Sequence, residues 1–517
     1  MSKNGAVAAG HLETAKSAAE VLRDGGNAFD AVIAAHLTAC VAEPVLSSLG
    51  GGGFLLAKPA NGKSVVYDFF THTPINKSRE TANSFYKISA DFGTVLQDFR
   101  IGPGSAATPG TLKGLFAIQN DLSTMPFSEI ARPAIDLARG GVEMNEFQTE
   151  VLNIVKPIYQ VNEEVKKHYS SAVTGDLLCE GDLFKRPLFA DFIDTASREG
   201  DSLFYAGEIA QAIEKMCAAS GGHLTAEDLR QYNVIKRQPL KCSLFGNQFL
   251  INPAPASGGI LVSFAAKLSE STELLKFSHG SIDYLERLAE IQHTTNRARI
   301  DRLFLNNDHN DLNELLGNEL LLQYQKQVYK RFSANRGTTQ ISVADKFGNI
   351  ASLTTSNGEG SGVMIPGTSI MLNNMLGEED LFPGAIGNWK PNQRISSMMA
   401  PGVLQLKNGD EIAFGSGGSN RIRTAILQVL LNVVANGGDA KKAVNAPRVH
   451  LEGEELNIEA GFEKHVTERL ADLYPESKIW DRRSLFFGGV HLAGKKQDGT
   501  FFGHGDERRG GVFLSVD

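Results

Sequence analysis

Ahead of Gly348 the chain reads Gly337-Thr338-Thr339-Gln340-Ile341-Ser342-Val343-Ala344-Asp345: a glycine, two adjacent hydroxyl residues, then an alternating apolar and polar run. Alternation with a period of two predicts a strand. Asp345-Lys346-Phe347-Gly348-Asn349 has the composition of a hairpin turn into a second strand over Ile350–Thr355. A hydroxyl residue at the head of a buried strand, behind a glycine, is where a self-cleaving chain can be cut. After such a cut Thr338 would carry a nucleophilic hydroxyl and a free α-amine able to act as its base. Taken alone, the stretch is better read as a plain hairpin, because threonine favours strands. The rest of the chain has to decide.

A chain of 517 residues is too long for one simple core and suits two or three cooperating layers or domains. Hydrophobic residues at 42% and charged residues at 21% fit a globular protein rather than a disordered one. A net charge of -8 argues against generic binding to nucleic acid or anionic membrane. Cys40, Cys179, Cys217 and Cys242 have neither metal spacing nor a disulfide framework, so buried or semi-buried free thiols are expected. No apolar run is long enough for a membrane span. Met1 to His11 has no charged region, apolar core and cleavage site, so the expectation is a cytoplasmic protein. A periplasmic or extracellular one is the alternative if a signal has been removed.

Helical spacing predicts helices over Glu13–Leu22, stopped at Gly25-Gly26, and over Ala28–Cys40. The run Gly50-Gly51-Gly52-Gly53 feeds a strand rather than a helix and lacks a following Gly-Lys-Ser/Thr, which excludes a P-loop. Residues 128 to 332 read as mostly helical, ending in a helix over Leu312–Phe332, and strands and turns dominate after Thr338. A helix-rich segment followed by a sheet-rich one predicts a layered α+β protein. Gly415-Ser416-Gly417-Gly418-Ser419 is expected to follow a strand and to offer adjacent backbone N–H groups for a tetrahedral oxyanion. Asn373-Asn374 and Ser396-Ser397 are polar pairs at turns.

Taken together, these stretches resemble the γ-glutamyltransferase family of N-terminal-nucleophile hydrolases over nearly the whole chain. The resemblance is carried in order by Gly25 to Ala31, Gly50 to Phe54, Ala107-Thr108-Pro109-Gly110-Thr111, Pro255-Ala256-Ser257-Gly258-Gly259, Thr338 to Asp345, Leu372-Asn373-Asn374, Arg394-Ile395-Ser396-Ser397-Met398, Gly417-Gly418-Ser419 and Ala446-Pro447-Arg448. It implies a four-layer αββα sandwich and a precursor that cuts itself at Gly337–Thr338. The products would be a large subunit of residues 1–337 and a small one of 338–517, intertwined in one unit as a heterodimer, with a dimer of heterodimers as a further assembly. It also implies a glutathione-type γ-glutamyl substrate, a glutamyl ester on Thr338, release to water or an amino acid, and no metal or organic cofactor. By motif match, Thr354 and Ser356 would orient the nucleophile and Gly417 and Gly418 would form the oxyanion hole. Ser396 and Ser397 would bind the α-carboxylate, and Asp380, helped by Asn357, the α-ammonium.

Three departures stand out. Phe70 occupies the position where the family carries an arginine for the glutamate carboxylate, and a phenyl ring cannot replace a bidentate guanidinium. Arg100 or Arg421 would then have to serve. Met375 follows Asn373-Asn374, and the extra Gly377-Glu378-Glu379 leaves the ammonium site open between Glu378, Glu379 and Asp380. The loop from Thr354 to Gly362 is shortened. The alternatives are therefore an acylase of the same machinery acting on a non-glutamyl amide, and a processed but non-catalytic binding relative.

Overall fold

In a computed structural model the described residues are 3–77, 85–91, 96–305, 316–317, 337–378, 381 and 389–517. The strands that matter for the site are β1 (Gly5–Ala9), β2 (Gly52–Lys58), β3 (Val65–Asp68), β4 (Ile235–Arg237), β5 (Leu240–Leu244), β6 (Asn247–Ile251), β7 (Thr339–Asp345) and β8 (Ile350–Ser356). They continue with β9 (Gly402–Gln405), β10 (Glu411–Gly417), β11 (Gly489–Lys495), β12 (Phe501–His504) and β13 (Val512–Val516). One sheet has the order β13-β1-β7-β8-β2-β3-β4 and the other β12-β11-β10-β9-β6-β5. Helices α1 (Leu12–Arg23) and α2 (Ala28–Ala42) cover the outer face of the first sheet. Helices α3 (Ser257–Ser271) and α5 (Arg421–Ala435) cover the second, and α4 (Ile282–Leu305) packs on α3. The result is the expected four-layer αββα sandwich.

Strand periodicity assigns each side chain to one of the two cores. Val7 and Ala9 on β1, and Ile341 and Val343 on β7, pack against the helices. Ala6, Ala8 and Ala344 point between the sheets. Small residues on β1 let it lie between β7 and β13 with both faces fully covered. The inner faces of β7 and β8 carry polar groups instead. Gln340 Nε2 donates to Ser342 Oγ at 3.0 Å and to Ser352 Oγ at 3.1 Å. Ser342 and Ser352 donate in turn to the carbonyls of His491 (2.9 Å) and Phe414 (2.7 Å) on the opposing sheet. Buried polar groups must be paired, and this seam pairs them by joining the two sheets in one register.

The helix-rich segment before residue 337 also supplies strands to both sheets. β1 to β6 all lie before residue 337: in the first sheet β1 stands between β13 and β7, both from after it, while in the second β5 and β6 form one edge beside four strands from after it. β5, Leu240-Lys241-Cys242-Ser243-Leu244, alternates apolar and polar residues with the polar ones exposed, as suits its place at the sheet edge. Gly417 ends β10 itself rather than following a strand. The thiol expectation holds for Cys40, Cys217 and Cys242, whereas Cys179 is exposed. The helix expected over 312–332 lies outside the described residues.

Candidate active site

Thr338 stands immediately before β7 and is 4% exposed. Alternation sends Thr339 towards α2, so Thr338 shares the inter-sheet side with Gln340. The Gly337 peptide is held from two directions. Ser356, the last residue of β8, donates Oγ–H to the Gly337 carbonyl at 2.6 Å, while the Gly337 N–H donates to Glu359 Oε1 at 2.9 Å. Ser356 Oγ also accepts from the Gly358 N–H at 3.0 Å, which fixes its orientation.

Thr354 does not reach Thr338. It pairs across the ladder with Gln340, and its hydroxyl donates to Gln340 Oε1 at 2.5 Å, within the inter-sheet seam. Gly417 does reach the nucleophile: a Cβ there would overlap the Thr338 carbonyl oxygen. Gly418 has φ of +121°, a conformation that favours glycine. Gly417 thus abuts the Thr338 peptide from the second sheet, and Gly418 packs against Gly488.

Ser396 and Ser397 enter by a different route. Phe69 and Phe70 lie against Gly52, itself paired with Ser356. Ile395 N–H donates to the Thr71 carbonyl at 3.1 Å, and His72 bridges to Arg394. This carries the serine pair to the same end of the first sheet. Ser396 Oγ donates to the Pro255 carbonyl at 2.7 Å, and Ser397 Oγ accepts from Met399 N–H at 3.1 Å. Asn357 is buried in the loop after β8, with its Nδ2 at 3.5 Å from the Met371 carbonyl. Asp380 lies outside the described residues. Glu379 lies outside them too, while Glu378 is buried and a Cβ on Gly358 would overlap its Oε1.

Phe70 is buried and stacks on Phe54 with ring centroids 5.6 Å apart. The cations around this region are largely committed. Arg421 donates Nε to the Phe486 carbonyl at 3.1 Å and lies 4.3 Å over that ring. Arg394 donates to the Phe70 carbonyl, to Tyr232 Oη (2.6 Å) and to the Asn233 carbonyl (2.6 Å), and pairs with Asp68 at 3.4 Å. Arg100 offers its carbonyl to Asn374, and its side chain is half-buried. Arg509 is the cation at the glycine pair. Its Nε donates to the Leu485 carbonyl at 3.3 Å, and its terminal nitrogens lie 3.2 and 3.3 Å from where Cβ atoms on Gly417 and Gly418 would sit. Burial lowers its pKa to about 10, with Asp506 and Glu359 opposing, so it remains a cation at neutral pH.

Glu359 and Arg509 were not singled out by sequence. Each gains its meaning from a partner distant along the chain, and neither belongs to a local motif. Among the described residues no cluster of side chains could hold a metal ion, and no helix is long and apolar enough to cross a membrane.

Four layers, with a threonine heading a central strand of one sheet, define the fold of the N-terminal-nucleophile hydrolases. The crystal structure of cephalosporin acylase from Bacillus halodurans matches it with a TM-score of 0.84, covering 100% of this chain and 96% of that one at 22% identity, a likeness of fold. The gamma-glutamyltranspeptidase family pattern matches residues 14–516, and the chain belongs to that family. It is 28% identical over 511 residues to the glutathione hydrolase proenzyme of Escherichia coli (strain K12), covering 89% of this chain and 83% of the relative. It is also 28% identical over 538 residues to the acylase ACY 1 proenzyme of Pseudomonas sp. (strain SE83), covering 99% and 93%. The chain is thus an enzyme of the acyl-transfer and amide-hydrolysis class.

Proposed function

We propose that the chain cuts itself between Gly337 and Thr338, and that mature Thr338 then transfers the γ-glutamyl group of glutathione or a related amide to water or an amine. The observation that carries this reading is the grip on the Gly337 peptide, with Ser356 on its carbonyl oxygen and Glu359 on its N–H. In the first step Thr338 Oγ adds to the Gly337 carbonyl carbon, and the carbonyl oxygen takes up negative charge where Ser356 already donates. The hydroxyl proton passes to the Thr338 nitrogen as the C–N bond breaks, leaving an ester. Water then splits the ester into a Gly337 carboxylate and a free threonine. Both sheets contain strands from residues 1–337 and from 338–517, so the two pieces stay together as a heterodimer.

In turnover the new α-amine, with an ordinary pKa near ~8, takes the hydroxyl proton as Oγ attacks the substrate amide. The N–H groups of Gly417 and Gly418 receive the oxyanion, the amine leaves with the proton, and water or an acceptor amine resolves the ester. Ser396 and Ser397 with Arg509 form the carboxylate side. Glu378, with Asn357 and Asp380, forms the ammonium side. The two names among the relatives, glutathione hydrolase and acylase, fit one chemistry with two acyl groups.

A second reading, an acylase for a non-glutamyl amide, is favoured by the buried Phe54–Phe70 stack where a guanidinium was expected. Purified protein assayed on a γ-glutamyl anilide beside anilides of acyl groups lacking the amino-acid head decides between the two. Preference for the γ-glutamyl anilide supports the first; equal or better turnover of the others supports the second.

A further inference from the structure

Behind the nucleophile, on the helix side of the first sheet, sits a carboxylate the reaction above does not use. Glu43 is the C-cap of α2 and is 0% exposed. Among the described residues it has no ion-pair partner, and it lies at the negative end of its own helix, so neither charge pairing nor the dipole compensates its burial. Its two oxygens are taken by hydroxyls: Thr339 Oγ1 donates to Oε2 at 2.6 Å and Thr14 Oγ1 to Oε1 at 2.8 Å. The chain makes room for it, since a Cβ on Gly10 would lie 2.6 Å from Oε2. Thr339 is the residue after the nucleophile. Ser356 and Gly417 meet the Gly337–Thr338–Thr339 segment from one side, and Glu43 holds it from the other.

Resting on the self-cleavage reading, we propose that Glu43 is a positioning residue: through Thr339 Oγ1 it sets the Thr338 peptide against Ser356 and Gly417, and does so when ionised. An ionised Glu43 accepts from both threonines. A protonated one carries a hydrogen on one oxygen, which weakens that oxygen as an acceptor and removes the charge from both bonds, so the grip on Thr339 loosens. Burial raises the Glu43 pKa to about 7, which places this exchange in the neutral range. The other titratable groups packed around it are shifted by burial as well. Burial lowers His11, at the start of α1, to about 4 and His36, on α2, to about 3. Cys40 is pushed up to about 12. Burial pushes the Arg186 pKa down, and its guanidinium donates to the carbonyls of Cys40 and Ser369. Arg509, beside Gly510 and so near Gly10, stays charged. The uncut chain has no α-amine at Thr338, so the pH profile of cleavage reports Glu43 without that second titration.

The full chain is made in a cell-free reaction, transferred to buffers from about pH 5.5 to about pH 9, and followed on denaturing gels. The wild type is expected to cut faster as pH rises through about 7. Glu43→Gln and Thr339→Val are expected to cut about tenfold or more slowly at the alkaline end, the loss of a charge-assisted hydrogen bond, and to lack that rise. Thr339→Ser is expected to restore both. Glu43→Gln or Thr339→Val cutting at the wild-type rate with the wild-type profile, at an unchanged melting temperature, overturns the proposal while leaving self-cleavage standing. A wild type that never cuts overturns both. If Glu43→Gln fails to fold, the Thr339 pair reads the same contact from its other end.

Discussion

Ser356 Oγ lies 2.6 Å from the Gly337 carbonyl oxygen and donates to it. The donor is thus in place on the oxygen that gains charge when Thr338 attacks, and it is braced by the Gly358 N–H. Preorganised donors of this kind act without reorganisation during the reaction. Ser356→Ala is expected to slow self-cleavage by about 10²-fold, roughly 3 kcal/mol, while Ser356→Thr keeps the donor. A gel time course of newly made protein measures both. A Ser356→Ala chain that cuts at the wild-type rate removes the serine from the reaction.

Gly417 has no room for a side chain, because the Thr338 carbonyl oxygen occupies the place of its Cβ. Gly417→Ala is expected to displace the scissile segment and reduce cleavage by about 10²-fold or more. Gly418→Ala adds backbone strain of about 1–3 kcal/mol, because its φ is +121°. Cleavage and melting temperature measured together separate the two effects: Gly417→Ala lowers mainly the first, Gly418→Ala both.

Arg509 stands at the glycine pair, while Phe70 fills the position of the arginine expected from the family. If Arg509 grips the substrate carboxylate, Arg509→Gln raises KM for a γ-glutamyl anilide by about tenfold or more, the loss of one charge-assisted contact. Its effect on an uncharged acyl anilide is then small. Equal effects on both substrates would place Arg509 in the oxyanion environment rather than in recognition.

Glu43 also predicts a pH dependence of stability. Its folded pKa, raised to about 7, lies above the ordinary carboxyl value of 4.5. Its contribution is therefore fully present below about 4.5 and is lost as pH rises through about 7. The loss above that range is of order 3 kcal/mol. Glu43→Gln lacks this loss, so the melting temperature of the variant relative to wild type is expected to rise between about pH 5 and about pH 8. A constant difference across that range would show that Glu43 does not titrate there.

The parts of this site that could be read from the sequence are local. The β7–β8 hairpin shows itself by alternation and a turn, and the glycine pair by composition. Thr338 shows itself by its place between a glycine and a strand. The missing parts are those whose sense lies in distant contacts. Glu43 and Thr339 are 296 residues apart, and nothing around Val41-Ala42-Glu43-Pro44 marks a carboxylate that faces a hydroxyl rather than water. Glu359 reads as one more acid in a glycine loop until the Gly337 N–H is seen on it. Thr354 matches the motif, but its hydroxyl turns to Gln340, because the inter-sheet seam needs a donor there. β1, a run of glycine, alanine and valine, has too little pattern to separate strand from helix. It is settled only by the ladders on both its sides.

The central claim, self-cleavage at Thr338, is tested most directly by intact mass spectrometry of the purified protein beside Thr338→Ala. The account predicts two polypeptides from the wild type, residues 1–337 and 338–517, the smaller beginning with Thr338, and one uncut chain of 517 residues from the variant. A wild type that turns over its amide substrate as a single uncut chain, or a small piece that begins at any other residue, would contradict it.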